Sequence, residues 1–339
     1  MPHRWTAAVT LLLLSTLLAA CAAPTGATTT VATITPSPAA STTVSPTTPA
    51  ATHTARTPLP TPTPSPTPTP TVYPPLRGSL ERTTFHSDLL ERDLKLNIYL
   101  PEGYDGDRRF PVLYVLHGFG GDADSCLESN QLPERAEELM AAGDIPQAIL
   151  VFPSFENSYL VNTGDEPGFV SFGSSDPTRG IQTGPYEDYF VDELIPTIDK
   201  SYRTIAKRSG RMICGFSSGG FAALHVAFRH PGLFCRVGGH SPAVGWNGLP
   251  VPVLFPTQEK IASDYPNALA ATADLTGLSI FIDCGDLDPY VYQGTYELSQ
   301  ALTGNKTADS TYFVGKGGHD DAYTNAYLAD YLRFLLGGE

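Results

Sequence analysis

The run Ile213-Cys214-Gly215-Phe216-Ser217-Ser218-Gly219-Gly220 leads straight into Phe221-Ala222-Ala223-Leu224. It reads as a buried strand, a sharp turn and a helix, with a serine on the turn. The flanking glycines let strand and helix crowd together, so the serine backbone is strained and its hydroxyl stands in open space. A serine so placed is a candidate nucleophile. By itself G-x-S-x-G is a weak signal, because a chain with 31 glycines can produce it in any surface loop.

The rest of the sequence divides into three parts. Residues 1–20 carry His3 and Arg4 and then an apolar stretch from Ala7 to Ala20. That is an export signal, shorter than the roughly 20 apolar residues a spanning helix needs. No later segment is long and apolar enough to span, so the chain reads as exported and otherwise soluble. Leu18-Ala19-Ala20-Cys21 resembles a bacterial lipobox, which makes Cys21 an acylation site and a membrane anchor. The alternative is ordinary cleavage near Ala22 and secretion.

Residues 21–75 are dominated by Thr, Pro, Ala and Ser, with Arg56 the only formal charge. Alternating proline, as in Thr61 to Pro70, forbids helix and favours extended polyproline II, so this segment is a disordered linker with a reach on the order of 150 Å. Residues 76–339, about 260 in all, hold the apolar runs and suit one large α/β domain. The chain has a net charge of −14, and every acidic residue lies in this last part. Such a balance argues against nucleic acid and anionic polymers as partners. It also holds Cys126, Cys214, Cys235 and Cys284; export permits disulfides, but the spacing fixes no pairing. Cys214 and Cys284 fall at expected strand ends, where small buried thiols are common.

Within this domain two strands, Thr83 to His86 and Leu94 to Leu100, suggest an antiparallel start. Phe110 to Leu116 and Ala148 to Phe152 are short continuous apolar runs, as expected of central strands covered on both faces. Helices are expected at Glu134 to Ala142, Glu187 to Lys200, Ser218 to Arg229, Tyr292 to Leu302 and Ala322 to Leu336. Strands are expected at Leu233 to Val237, Leu278 to Cys284 and Thr311 to Val314. Strands alternating with helices imply a mostly parallel twisted sheet with helices on both faces and a ligand site beyond the C-terminal strand ends.

A serine hydroxyl needs an imidazole to take its proton and an acid to fix that imidazole. In the α/β-hydrolase fold the chain order is serine, acid, histidine, the last two on loops after later strands. Here the strand ending at Cys284 runs into Gly285-Asp286-Leu287-Asp288, and the strand ending at Val314 runs into Gly315-Lys316-Gly317-Gly318-His319. His319 is the base. Asp288 is favoured as the acid, with Asp283 and Asp286 as alternatives. Backbone N–H groups must receive the oxyanion of the transition state. Ser218 supplies one, and the loop His117-Gly118-Phe119-Gly120-Gly121 supplies the other, from Phe119 or next from Gly120. His117 more often shapes such a loop than transfers protons.

Leu116 to Gly121, Glu193-Leu194-Ile195-Pro196, Tyr202 to Ala206, the elbow followed by Arg229-His230-Pro231-Gly232-Leu233-Phe234, Cys284-Gly285-x-x-Asp288 and Gly318-His319-Asp320 together resemble the esterase D-like α/β-hydrolases. That family includes feruloyl, acetyl-xylan and enterochelin-type esterases, S-formylglutathione hydrolases and mycolyltransferases. The resemblance spans nearly the whole domain. It implies a triad of Ser217, Asp288 and His319 and an oxyanion hole of the Phe119 and Ser218 N–H groups. Many relatives carry methionine where this chain has Ser218; the contact uses backbone, so only pocket polarity changes.

The expected activity is therefore serine carboxylic ester hydrolysis without a cofactor, on acetyl or feruloyl type esters of carbohydrates. The alternatives are acyl transfer to a sugar hydroxyl and a non-catalytic surface binding module. With no H-E-x-x-H and no C-x-x-C, no metal site is expected, and His225 and His230 read as structural. Asp320 and Asp321 suit the start of the last helix. Glu187, Asp188, Asp192 and Glu193 read as a solvated helix face. Phe155, Tyr159, Phe169, Phe172, Tyr186 and Trp246 lie in long segments near the strand ends, where they either contact the acyl or sugar group or anchor the loops.

Overall fold

A computed structural model describes residues 74–171, 180–245 and 252–338. Residues 1–20, where an export signal is expected, Cys21, almost all of the Thr/Pro-rich segment, Phe172 and Trp246 lie outside the described residues.

The fold is an eight-stranded mixed sheet. Its strands are β1 (Ser79–Ser87), β2 (Arg92–Leu100), β3 (Val112–Leu116), β4 (Ile149–Pro153), β7 (Arg211–Phe216), β8 (Arg236–His240), β9 (Ser279–Gly285) and β10 (Asp309–Gly315), with a separate hairpin of β5 (Gly168–Ser171) and β6 (Gly180–Thr183). The large sheet runs β1-β2-β4-β3-β7-β8-β9-β10. β1 pairs antiparallel with β2, and β2 antiparallel with β4; every later pairing is parallel. This is the mostly parallel sheet with antiparallel first strands that the sequence implied.

Alternation explains the two layers of core. Along β3, Val112, Tyr114 and Leu116 point to one face and Leu113 and Val115 to the other, all buried. Helices cover both faces, in chain order α1 (Ser125–Glu128), α2 (Leu132–Ala142), α3 (Tyr186–Asp188), α4 (Ile195–Ser201), α5 (Ser218–Arg229), α6 (Gln258–Asp264), α7 (Pro266–Thr272), α8 (Tyr292–Gly304) and α9 (Asp321–Leu336). The apolar residues of α5, α7 and α8 join the first core, and those of α2 and α9 the second. A strand covered twice must be apolar on both sides, which is why β3 and β4 read as unbroken apolar runs.

Three expectations need correction. The strand expected at Leu233 to Val237 is instead Arg236–His240. Phe234 is buried in the core ahead of the strand, while Gly238 and Gly239 lack strand propensity but are demanded by packing. A Cβ on Gly238 would stand 2.7 Å from the Tyr331 hydroxyl, and one on Gly239 2.9 Å from Leu224. The helix expected at Glu187 to Lys200 is interrupted by a π-helical turn, Tyr189–Leu194, in which the Ile195 N–H reaches Phe190 O. Pro196 follows at once; it has no N–H to donate, and its ring crowds the preceding turn, so the helix widens before it. The third correction concerns Glu187 and its neighbours, which are not a solvated face.

Glu187 is 2% exposed. It accepts from Arg229 Nε at 2.7 Å and from His230 Nε2 at 2.7 Å, with His225 Nε2 at 3.3 Å. Burial pushes its carboxyl up, but these donors outweigh burial and hold it well below the usual range. Asp188 accepts from Asn162, and Glu193 accepts from Ser87 Oγ and Leu89 N–H. Only Asp192 of the four is solvent-exposed. His225 and His230 are structural as expected, tying α5 to the helix that starts at Tyr186.

Candidate active site

The elbow forms as its sequence requires. Ser217 has φ 56° and ψ −117°, a conformation L residues rarely adopt, between the end of β7 and the start of α5. Three bonds hold the strain: Ser217 N–H donates to His240 O at 2.9 Å, and Ser217 O accepts from Ala243 N–H at 2.8 Å and Phe221 N–H at 3.0 Å. Glycine is obligatory on both sides. A Cβ on Gly215 would strike the Gly219 backbone and come within 2.8 Å of Leu116 O, and one on Gly219 would collide with the carbonyl oxygens of Leu116 and His117. The two glycines therefore let β7, α5 and the end of β3 meet at one point.

Two loops bring the remaining chemistry to that point. Asp288 follows β9 and His319 follows β10, adjacent parallel strands whose C-terminal ends face the same way. The loops are stitched by Asp286 N–H to Gly315 O at 2.8 Å and Leu287 N–H to Gly317 O at 2.9 Å. His319 Nδ1–H donates to Asp288 Oδ2 at 2.7 Å, which leaves Nε2 to accept from the Ser217 hydroxyl at 2.9 Å. Asp288 Oδ1 is held by the N–H groups of Tyr290 and Val291. Burial pushes the Asp288 carboxyl up; the bonds from His319 and from these two amides prevail and hold it below the usual carboxylate value. It is an anion fixed in place to receive an imidazole N–H.

The three aspartates that the sequence left in contention are separated by these contacts. Asp288 meets His319. Asp286 instead pairs with Lys316 at 2.6 Å and Gly317 N–H at 3.1 Å, on the exposed side of the loop. Asp283 is fully buried and meets His240.

The loop after β3 lies beside the serine: a Cβ on Gly118 would be 3.8 Å from that of Ser217. Gly121 N–H closes a turn onto Gly118 O at 3.0 Å, with Gly120 at φ 77°. Gly120 N–H is taken by Asn157 Oδ1 at 2.7 Å, so of the two candidate donors in this loop Phe119 is the one whose N–H neither the turn nor Asn157 uses. Ser218 opens α5, where the first N–H groups have no partner within the helix. His117 is buried against Phe155, with ring centroids 4.2 Å apart, donating from Nδ1 to Gly118 O and accepting Phe155 N–H at Nε2. Burial pushes its pKa down to about 4, so it shapes the loop as a neutral imidazole.

The aromatic side chains that the sequence offers as substrate contacts divide cleanly. Phe155 and Tyr186 are fully buried and Tyr159 is 7% exposed, so these three anchor loops; Phe169 is exposed. Around His319 itself stand Phe216, with ring centroids 4.7 Å apart, and Tyr290, edge-on at 6.0 Å. Their signal in the sequence is position alone: Phe216 is the middle residue of the elbow's G-x-S and Tyr290 lies two beyond Asp288. A cavity of about 290 Å³ opens beside the loop after β3, lined among others by Lys95, Gly120, Asp122, Asn157 and Gln182. Among the described residues no group of three or more His, Cys, Asp or Glu side chains is placed to hold a metal ion. The four cysteines of the domain are free.

A family model described as "Putative esterase" matches residues 87–334, from the end of β1 almost to the end of α9. The chain belongs to this esterase family. Over 162 residues it is 32% identical to an endo-1,4-beta-xylanase/feruloyl esterase of Xylanibacter ruminicola, covering 46% of this chain and 20% of that protein. It is also 29% identical over 150 residues to the esterase Rv1288 of Mycobacterium tuberculosis, covering 43% of this chain and 28% of the relative. The matched stretch thus spans less than a third of either relative. Among solved structures, a ferulic acid esterase superposes with a TM-score of 0.62 at 26% identity, covering 76% of this esterase-family chain and 98% of that one. The fold is the α/β-hydrolase fold.

Proposed function

We propose that this chain is a serine carboxylic ester hydrolase, exported, held to a membrane through Cys21 and carried clear of it on the Thr/Pro-rich linker. Its substrates are acetyl or feruloyl type esters of carbohydrates. The observation that carries the catalytic reading is the unbroken hydrogen-bond chain from Ser217 Oγ through His319 to Asp288, at 2.9 and 2.7 Å. Family membership and the likeness to feruloyl esterases support the acyl class; the leader and linker support the location.

In this reading His319 Nε2 takes the Ser217 proton as Oγ attacks the ester carbonyl. Asp288 keeps Nδ1 protonated and stabilises the imidazolium that forms. The oxyanion receives the N–H groups of Ser218 and Phe119, donors already fixed by helix start and turn, so no reorganisation is needed as charge develops. His319 then returns the proton to the leaving sugar oxygen as the C–O bond breaks. Water attacks the acyl-serine by the same route, with His319 first base and then acid.

The test is turnover by the full chain on a panel of acetyl, feruloyl and longer acyl esters, with Ser217→Ala as control. Hydrolysis of acetyl or feruloyl esters that the control lacks is expected. No turnover across the panel, or equal turnover by the control, would overturn the reading.

A further inference from the structure

Behind the site lies a second histidine–aspartate pair that the proposed reaction does not touch. Asp283 is 0% exposed, and its carboxylate accepts from His240 Nδ1–H at 2.8 Å and from the Tyr323 hydroxyl at 2.7 Å. His240 is itself 3% exposed and stacks on Tyr331. The pair is set by strand register, since His240 of β8 and Asp283 of β9 are aligned neighbours in parallel strands. A buried carboxylate with two donors is costly to assemble compared with an apolar trio of the same volume, so a specific geometric task is the reason to look for.

Each member is one short step from one residue of the site. His240 O receives the Ser217 N–H that holds the strained elbow, and the next residue, Ser241, at φ 40°, donates its N–H to Asp283 O at 2.9 Å. Asp283 sits on β9 two residues before Gly285, whose carbonyl accepts the Asp288 N–H at 3.2 Å. Tyr323 packs its ring under the histidine loop: a Cβ on either Gly315 or Gly317 would meet it at 2.9 Å. Its own N–H goes to Asp320, the residue after His319, at 2.9 Å.

We propose that His240, Asp283 and Tyr323 form a buried positioning network that fixes the three loops carrying Ser217, Asp288 and His319 relative to one another. The proposal rests on the reading of those three as the reacting groups. The network touches no substrate. It acts through the backbone, and because its two hydrogen bonds share one carboxylate, losing either donor loosens all three loops together.

The experiment compares full-length wild type with Asp283→Asn, His240→Gln, Tyr323→Phe and the double variant His240→Gln/Asp283→Asn. For each, kcat and KM on an ester of the panel are measured well below that variant's Tm, beside peptide-level hydrogen exchange. Asn at 283 keeps the shape but turns one acceptor into a donor. Expected are a fall in kcat of about tenfold with KM little changed, as slight misplacement of reacting groups produces. The double variant is no worse than Asp283→Asn, because the members act as a unit. Exchange rises in the peptides holding Ser217, Asp288 and His319 while β1 to β4 stay protected. An unchanged kcat with only a lowered Tm would overturn the proposal, as would a rise in exchange spread over the whole sheet. Should wild type hydrolyse no ester, the catalytic reading fails on its own, and the exchange pattern still decides whether the network holds the three loops.

Discussion

Nε2 of His319 stands 2.9 Å from Oγ of Ser217 across 102 residues of chain. Neither residue reaches the other by local structure. Ser217 is pushed out by the elbow, and His319 is carried on the loop after the edge strand β10, so their meeting expresses the strand order β7-β8-β9-β10. The contact is therefore a property of the whole parallel half of the sheet.

Asp288→Asn leaves the side-chain shape but frees the imidazole to take the wrong tautomer. The expected loss in kcat is on the order of 10⁴-fold, the size seen for the corresponding change in a serine triad. Asp286→Asn, which loses only an exposed pair with Lys316, is expected to keep nearly full activity. Steady-state kinetics on a single ester distinguishes the two; equal losses would reopen the choice of acid.

His117 stays neutral in the folded chain down to about pH 4 because burial disfavours its charged form. In the unfolded chain it takes a proton near its ordinary value of 6.5. Between those values the unfolded chain binds more protons, so stability falls as pH drops from about 6.5 towards 4 and this contribution levels off below. Its full size is about 3 kcal/mol. Urea unfolding at pH 7 and pH 5 is expected to show a smaller loss in His117→Gln than in wild type. An identical loss in both would mean that His117 does not drive it.

Much of this site was legible in the sequence because its parts are local. The elbow needs glycine at 215 and 219, and Asp288 and His319 follow predictable strand ends. What was not legible depends on contacts between distant segments. Glu187 looks like any helix-surface acid until α5 brings His225, Arg229 and His230 against it. The bounds of β8 are hidden in the sequence because Gly238 and Gly239 answer to Tyr331 and Leu224, not to strand propensity. Local sequence does not separate Asp283, Asp286 and Asp288, since only strand register decides that Asp283 faces His240.

Glu187→Ala strands His225, Arg229 and His230 around an empty position. Removing one partner of a buried ionic cluster costs about 3 to 5 kcal/mol, and that is the expected loss in denaturant unfolding. Asp192→Ala, on the same helical stretch but solvent-exposed, is expected to change stability by less than about 0.5 kcal/mol. Equal effects would return Glu187 to the solvated face first expected of it.

Cys21→Ala removes the proposed acylation site. In a bacterial host that processes lipoproteins, the wild-type chain is expected in the membrane fraction and the variant in the soluble exported fraction. Soluble wild type would point to ordinary cleavage and secretion.

The most direct measurement is peptide mapping after reaction with a fluorophosphonate, which phosphonylates an activated serine as the P–F bond breaks and fluoride leaves. One adduct per chain on the peptide containing Ser217 is predicted, absent in Ser217→Ala and strongly slowed in His319→Ala. An adduct on another serine, or none on a folded wild-type chain, would contradict the assignment of Ser217 as the nucleophile.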